Sequence, residues 1–345
     1  MSSAAKKILK NPRAQHDFKG RTCSIAAVGS YVPERVLTNL DLERMVETTD
    51  NWITTRTGIK ERRIAAKNEF TSDMAARAAL RALERAGVTA QQIDLIIVAT
   101  ITPDMPFPAT ACLVQQKIGA NRAAAFDIEA ACSGFIYGLE IGQHFIMART
   151  YDCVLVVGAE KLSSIIDWTD RNTCVLFGDG AGAAVLQNRP HSHGLLTACM
   201  GADGNKAALL SMPAGGSRCP ASAESVASRL HYLRMDGKET FKSAVNAMYT
   251  AAQESLRRCE IGIKDIKCII PHQANRRIID AVAERLGAQA EQVFVNLEKY
   301  GNTSAASVAI ALDEAVQSGR IQRGDLILLV VFGAGLTWGA AVIEW

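Results

Sequence analysis

Apolar residues along the chain fall into two alternating patterns. Short runs such as TCSIAAVGS (22–30), DLIIVATIT (94–102) and CVLVVG (153–158) are apolar almost throughout and predict strands covered on both faces. Between them lie segments of helical period: Ser72 to Ala86, Ala109 to Ile118 and Phe241 to Arg258. Ser72 or Asp73 supplies a start signal for the first of these helices. The stretch Ala123 to Ala148 carries both patterns. It opens as a buried strand, turns through small residues at Cys132, and continues as a helix apolar on most faces. Gly134, Gly138 and Gly142 recur every four residues, so one stripe of that helix is bare backbone, suited to a helix packed inside the protein.

The same order of elements occurs twice. LERAGVTAQQIDLIIVA (83–99) aligns without a gap on LRRCEIGIKDIKCIIPH (256–272) at an offset of 173. AAAFDIEAACSG (123–134) falls against QVFVNLEKYGNTS (292–304) at an offset of about 170, and YDCVLVVGA (151–159) against GDLILLVVFGAG (324–335) at about 173. A period of half the chain implies two similar α/β halves, 21–193 and 194–345, related by a pseudo-twofold axis with their equivalent turns facing one cleft. Asn302 is then the counterpart of Cys132, and His272 follows a strand of the second half. Cys132, His272 and Asn302 are thus expected on three loops that the duplication brings together. Residues 204–234 have weak periodicity and read as an insertion covering one face.

Composition narrows the function. At 48% hydrophobic and 21% charged, the 345 residues are ordinary for a globular protein, and no apolar run reaches the ~18 residues of a membrane span. Residues 1–20 lack the apolar centre of a signal peptide and hold five basic residues against Asp17, so they are expected to be a disordered basic extension. Without that extension the body is near −1, which gives no support to nucleic-acid binding. Nine scattered cysteines with no metal-ligand spacing argue for a reducing, cytoplasmic setting and against a zinc site. Cys132 reads in two ways, as a buried structural thiol or as a nucleophile whose pKa a helix N-terminus lowers. TTDNWITTRTGIKERRIA (48–65), with Trp52 among Arg56, Lys60, Arg62 and Arg63, reads as a surface loop or as a loop facing a nucleotide. FGDGAGAAVL (177–186) is not a phosphate loop, because it lacks the G-K-[ST] end and leads into a strand.

The motifs TTDNWITTRTGIKERRIA, AACSGFIYGL, FGDGAGAAVL, PHQANRRI, YGNTSAAS and FGAGLTWGAA together resemble the thiolase-like condensing enzymes. Within them, Thr22 to Trp345 resembles the β-ketoacyl-acyl-carrier-protein synthase III family. The resemblance implies a duplicated five-layer α-β-α-β-α fold and a homodimer. It also implies decarboxylative condensation of an acyl-CoA primer, acetyl-CoA first among them, with malonyl-acyl-carrier protein. That reaction starts fatty-acid synthesis and needs no metal or redox cofactor.

By position, the resemblance makes Cys132 the acylated nucleophile and His272 and Asn302 the pair serving decarboxylation. The backbone N–H groups of Cys132 and Ala334 become the oxyanion donors, and Phe332 the ring beside the malonyl site. Trp52, Arg56 and Arg171 correspond to positions holding the nucleotide of coenzyme A, and Thr48, Gly237 and Asn275 to positions along its pantetheine arm. Lys242, Arg276 and Arg277 correspond to basic contacts for the carrier protein, and Phe107 to the end of the acyl pocket. Where the family often has further lysines, this chain has Glu284 and Arg285. Elongating synthases pair the cysteine with two histidines, and degradative thiolases need a second cysteine near the C-terminus, which FGAGLTWG lacks. A synthase III-like enzyme of secondary metabolism would carry the same residues, and a non-catalytic acyl-CoA-binding relative would have no need of Cys132, His272 and Asn302 together.

Overall fold

A computed structural model describes residues 22–189 and 194–345. The basic extension and the boundary set at 193/194 lie outside or at the edge of these residues. Nine strands form two main sheets. The first joins β1 (Cys23–Tyr31), β2 (Leu95–Ala99), β3 (Ala124–Ile128), β4 (Cys153–Glu160) and β5 (Gly180–Asn188) in the order β1-β5-β4-β2-β3. The second joins β6 (Leu195–Ala202), β7 (Cys268–Pro271), β8 (Leu326–Gly333) and β9 (Thr337–Glu344) in the order β6-β9-β8-β7. β4 pairs parallel with β2 and antiparallel with β5; β8 pairs parallel with β7 and antiparallel with β9. The two sheets therefore repeat one topology, and the bounds of β4 and β8 correspond residue for residue at the offset of 173 read from the sequence.

The repeat is incomplete at one place. The counterpart of β3 in the second half is reduced to a single parallel bridge between Ile269 and Val293. Gln273 explains this. Its side-chain amide donates to the Phe294 carbonyl at 3.2 Å and its Oε1 accepts from Asn296 N at 2.9 Å, so a side chain takes the backbone groups that a strand neighbour would use.

Helices form three layers around these sheets. α2 (Thr71–Ala86) and α3 (Thr110–Ile118) cover the outer face of the first sheet; α5 (Gly237–Arg258) and α6 (Arg276–Leu286) cover that of the second. α4 (Gly134–Met147) and α7 (Ala306–Gln317) lie between the sheets, giving five layers with an apolar core in each interval. The glycine stripe of α4 is what lets it sit there. A Cβ at Gly138 would stand 2.7 Å from Val156 Cγ1, and one at Gly142 2.8 Å from Leu186 Cδ1. No helix among the described residues is long and apolar enough to cross a membrane.

The stretch around Trp52 is more ordered than a loop. It holds a helix, α1 (Asp50–Thr57), capped by the Thr49 hydroxyl accepting from Trp52 N, and a short antiparallel pairing of 36–38 with 61–63. Arg62, grouped in the sequence with cations that could face a ligand, is fully buried instead. It donates to the carbonyls of Leu37 and Val175 and to Asn39 Oδ1. The insertion 204–234 contains short helices at 204–209 and 223–227, and its strand 210–211 pairs with 234–235.

Candidate active site

Two equivalent turns meet at the centre of the molecule. Cys132 sits in a 3-10 turn, Ala131–Ser133, that runs directly into α4. Asn302 lies in the turn before α7, and His272 follows β7. All three are buried and line one cavity of about 150 Å³, together with Phe332, Gly333, Gly237 and Asn275. Leu210 and Met235, from the two-stranded pair at the ends of the insertion, also line it. The insertion therefore reaches the site, which its weak periodicity concealed.

Each polar side chain is held in one orientation. Ser307 Oγ accepts from Gln273 N at 2.9 Å and lies 2.8 Å from His272 Nδ1. The Ser307 hydroxyl can donate its proton to Nδ1, and in that arrangement the neutral ring carries its own proton on Nε2. Burial holds the His272 pKa down to about 4, so the ring is neutral at physiological pH. Asn302 Oδ1 accepts from Ser304 N at 2.9 Å, leaving its Nδ2 as the donor end. A neutral imidazole N–H and an amide N–H₂ are suitable paired donors for a developing enolate oxygen.

The thiol behaves differently from the sequence expectation. Cys132 is at the head of α4, but burial pushes its pKa up to about 12; Ser304 acts in the opposite direction, and the negative charge of Glu160 adds to the rise. Desolvation of the thiolate is the largest of these effects. The 333–335 turn closes over the Cys132 backbone. A Cβ at Gly333 would stand 2.7 Å from Cys132 N, so only glycine leaves that N–H approachable. The Ala334 carbonyl accepts from the Thr337 hydroxyl at 3.0 Å, which pins the turn.

A second cluster lies outside the cavity. The guanidinium groups of Arg56 and Arg171 stand 4.9 and 5.3 Å from the centre of the half-buried Trp52 ring. Arg171 is held there by donating to the Glu47 carbonyl at 2.9 Å. Asn275 joins cluster and cavity: it lines the cavity, caps α6 by accepting from Arg277 N, and donates to the Arg56 carbonyl. Thr48 is near this cluster in sequence and is not a cavity residue; its Oγ is buried with no hydrogen-bond partner.

Lys242, on the second turn of α5, and Arg276 and Arg277, on the first turn of α6, are exposed. Lys242 pairs with Glu239 and Arg276 with Asp280, while Arg277 lies 5.8 Å over Phe241, a cavity residue. Phe107 is not brought to the cavity within this chain: it stands 84% exposed in the loop before α3. The sequence reading missed Thr240, whose buried, unpartnered hydroxyl belongs to a cavity residue. Its place three residues after Gly237, on the same helix face, was the available signal.

Comparison with known proteins decides the family. Residues 126–204 match the profile of 3-oxoacyl-[acyl-carrier-protein (ACP)] synthase III, and residues 256–345 match its C-terminal profile. A protein of Caldanaerobacter subterraneus subsp. tengcongensis named β-ketoacyl-[acyl-carrier-protein] synthase III is 59% identical, over 93% of this chain and 97% of the relative. The chain belongs to the β-ketoacyl-acyl-carrier-protein synthase III family. It is a condensing acyltransferase of the thiolase-like fold. Among solved synthase III structures, that from Aquifex aeolicus shares 50% identity with a TM-score of 0.87, covering 94% of this chain and all of the other. The priming β-ketosynthase from the R1128 polyketide biosynthetic pathway shares 38% at the same TM-score, covering 94% and 96%.

Proposed function

We propose that this synthase III condenses a short acyl-CoA, acetyl-CoA first, with malonyl-acyl-carrier protein, giving a 3-oxoacyl-carrier protein, CoA and CO₂ and so starting fatty-acid synthesis. The observation that carries the reading is the meeting of Cys132, His272 and Asn302 in one buried cavity beside Phe332. In the first half-reaction Cys132 attacks the thioester and becomes acylated, with the N–H groups of Cys132 and Ala334 stabilising the oxyanion. In the second, malonyl loses CO₂, and His272 Nε2–H and Asn302 Nδ2–H₂ stabilise the enolate. One such donor is worth about 3 kcal/mol in the transition state. The carbanion attacks the acyl carbon and releases Cys132. The apolar wall at Phe332 favours loss of the charged carboxylate.

Trp52, Arg56 and Arg171 would hold the nucleotide of CoA by stacking and ion pairing, with Thr48, Gly237 and Asn275 along its arm. Lys242, Arg276 and Arg277 would receive the acidic carrier protein. Arg285, which is bonded to Asn246 and stacked on Tyr249, and Glu284 give that patch a different outer edge from the lysine-rich one.

The homodimer reading is supported by β3, an edge strand with no neighbour on its outer side among the described residues, and by the exposed Phe107 ring in the loop before α3. A fully active monomer in sedimentation would count against it. A cytoplasmic setting is supported by nine unpaired cysteines.

Intact-protein mass after incubation with a panel of acyl-CoAs tests the reading. One acyl group should add to the wild type and none to Cys132→Ala. The order of primers separates a fatty-acid starter, led by acetyl, from a polyketide-type priming enzyme led by longer groups. No adduct from any acyl-CoA or acyl-carrier protein would overturn the role of Cys132.

A further inference from the structure

One side chain ties the insertion to the loop that carries Arg171, and the condensation chemistry leaves it unused. Within residues 204–234, Arg229 follows the short helix at 223–227. Its backbone N–H donates to the Val226 carbonyl at 3.0 Å, and that of Leu230 to the Ser225 carbonyl at 3.0 Å, the bonding of a helix end closed by a left-handed residue. Arg229 accordingly has a φ of +55. Glycine or asparagine is the usual occupant of such a position, because a side chain is strained there. An arginine at this place gives up local stability, and what the position gains is the reach of its side chain.

The guanidinium crosses to the first half. Its Nε donates to Asp167 Oδ2 at 2.9 Å and its Nη2 to Asp167 Oδ1, a two-pronged bond, and Nη2 also donates to Thr169 Oγ at 3.1 Å. The Asp167 carboxylate is itself built into a turn. Its Oδ1 accepts from Thr169 N at 2.9 Å and from the Thr169 hydroxyl at 2.7 Å, and the Asp167 carbonyl accepts from Asp170 N at 3.0 Å. Asp170 then caps the four-residue helix whose first residue is Arg171. Hydrogen bonding to Arg229 holds the Asp167 carboxyl down to about 2, so the pair is charged throughout the neutral range. Around it the insertion and the loop share one apolar cluster, in which Leu233 and Met235 pack with Ile166, Trp168 and Trp52. Leu233 N also donates to the Ile165 carbonyl at 2.9 Å.

We propose that Arg229 is a positioning residue for the acyl-CoA substrate: through Asp167 it braces the turn that presents Arg171 to the Trp52 ring. The proposal rests on the reading of Trp52 and Arg171 as the nucleotide site. Arg171 stands 5.3 Å from that ring and is tied on one side to the Glu47 carbonyl; the braced turn fixes it from the other. Arg229 does not line the cavity that holds Cys132, His272 and Asn302, so the reacting groups do not depend on it. Its effect falls on the half-reaction that uses a CoA thioester and spares the one that uses a carrier-bound thioester.

Arg229→Gly suits the left-handed position and removes the guanidinium. It should melt no lower than the wild type and raise the KM for acetyl-CoA about fivefold, the upper value for one bidentate pair at a partly exposed site. Its kcat and its KM for malonyl-carrier protein should not change, and acetyl-pantetheine should react equally with both proteins. Asp167→Asn, which can still accept from Thr169, should raise the KM for acetyl-CoA to the same extent, and the double variant no further. A KM for acetyl-CoA that is unchanged in Arg229→Gly makes the pair structural and overturns the proposal. An unchanged KM in Asp167→Asn also overturns it, since Arg229 would then act on the nucleotide directly. Arg171→Ala keeps the two readings apart. If it leaves the KM for acetyl-CoA unchanged, the nucleotide reading fails and the proposal with it; if it raises KM while Arg229→Gly does not, the proposal alone fails.

Discussion

Asn275 donates its side-chain amide to the Arg56 carbonyl at 3.2 Å while its Oδ1 accepts from Arg277 N at 2.9 Å. One residue thus starts α6, touches the cavity and anchors the helix bearing Trp52 and Arg56. The two helices also pack directly: a Cβ on Gly58, the left-handed residue ending α1, would stand 2.7 Å from Arg276 Cβ. The Trp52 cluster and the cavity residue Asn275 are therefore joined by direct contacts.

Asn275→Asp separates the two jobs of this residue. The carboxylate still caps α6 but has no proton for the Arg56 carbonyl. The melting temperature should stay within a degree or two of wild type, with the KM for acyl-CoA raised. Asn275→Ala should raise KM and also cost about 1 kcal/mol of stability through loss of the cap. Denaturant unfolding and steady-state kinetics read the two effects.

Trp52→Ala removes the face shared by Arg56 and Arg171. Stacking and cation–π contacts of this kind are worth about 0.5 to 2 kcal/mol, so KM for acyl-CoA should rise about 2- to 30-fold. A short acyl-pantetheine thioester, which lacks the nucleotide, should react with mutant and wild type equally. An equal loss with both substrates would refute nucleotide binding at Trp52.

His272→Gln should leave acylation of Cys132 intact by mass and slow malonyl decarboxylation about a hundredfold, the cost of one preorganised donor. The histidine also makes stability depend on pH. Its folded pKa, about 4, lies below its ordinary 6.5, so the unfolded chain binds a proton first as pH falls. Its contribution is complete above pH 6.5 and is lost as pH drops from there through 4. Unfolding free energies of the wild type should show this slope relative to His272→Gln.

Gly138→Ala should destabilise the protein by about 1 to 3 kcal/mol, because its Cβ would press on Val156 between two rigid layers. This exceeds the ~1 kcal/mol that alanine contributes to a helix. Gly237→Ala is the contrast. There the nearest atom to the new Cβ is Met235 Cε at 3.9 Å, so stability should change by less than about 0.5 kcal/mol. Chemical denaturation of both variants measures the difference.

Strand and helix periods are local properties, and the duplication is two copies of such a local pattern. The sequence by itself therefore determined the alternation of elements, the correspondence of β4 with β8 at an offset of 173, and the meeting of Cys132, His272 and Asn302 on three loops that the duplication brings together. The glycine stripe of α4 was legible for the same reason, since spacing alone marks the face that must approach another layer.

Tertiary structure decided what depends on burial, because desolvation sums over neighbours distant in the chain. Arg62 and Arg56 are six residues apart in one motif; one is wholly buried and bonded to three oxygens, the other lies open against Trp52. Cys132 begins a helix as its spacing implied, yet enclosure by both halves raises its pKa instead of lowering it. The fifth strand of the second half gave way to one side chain, Gln273, and Phe107 stands in solvent away from the cavity of its own chain. Nor could composition show that Glu160, at the end of β4, is fully enclosed and held by the Thr100 and Thr102 hydroxyls, because both threonines follow β2 and meet it only when the two strands pair.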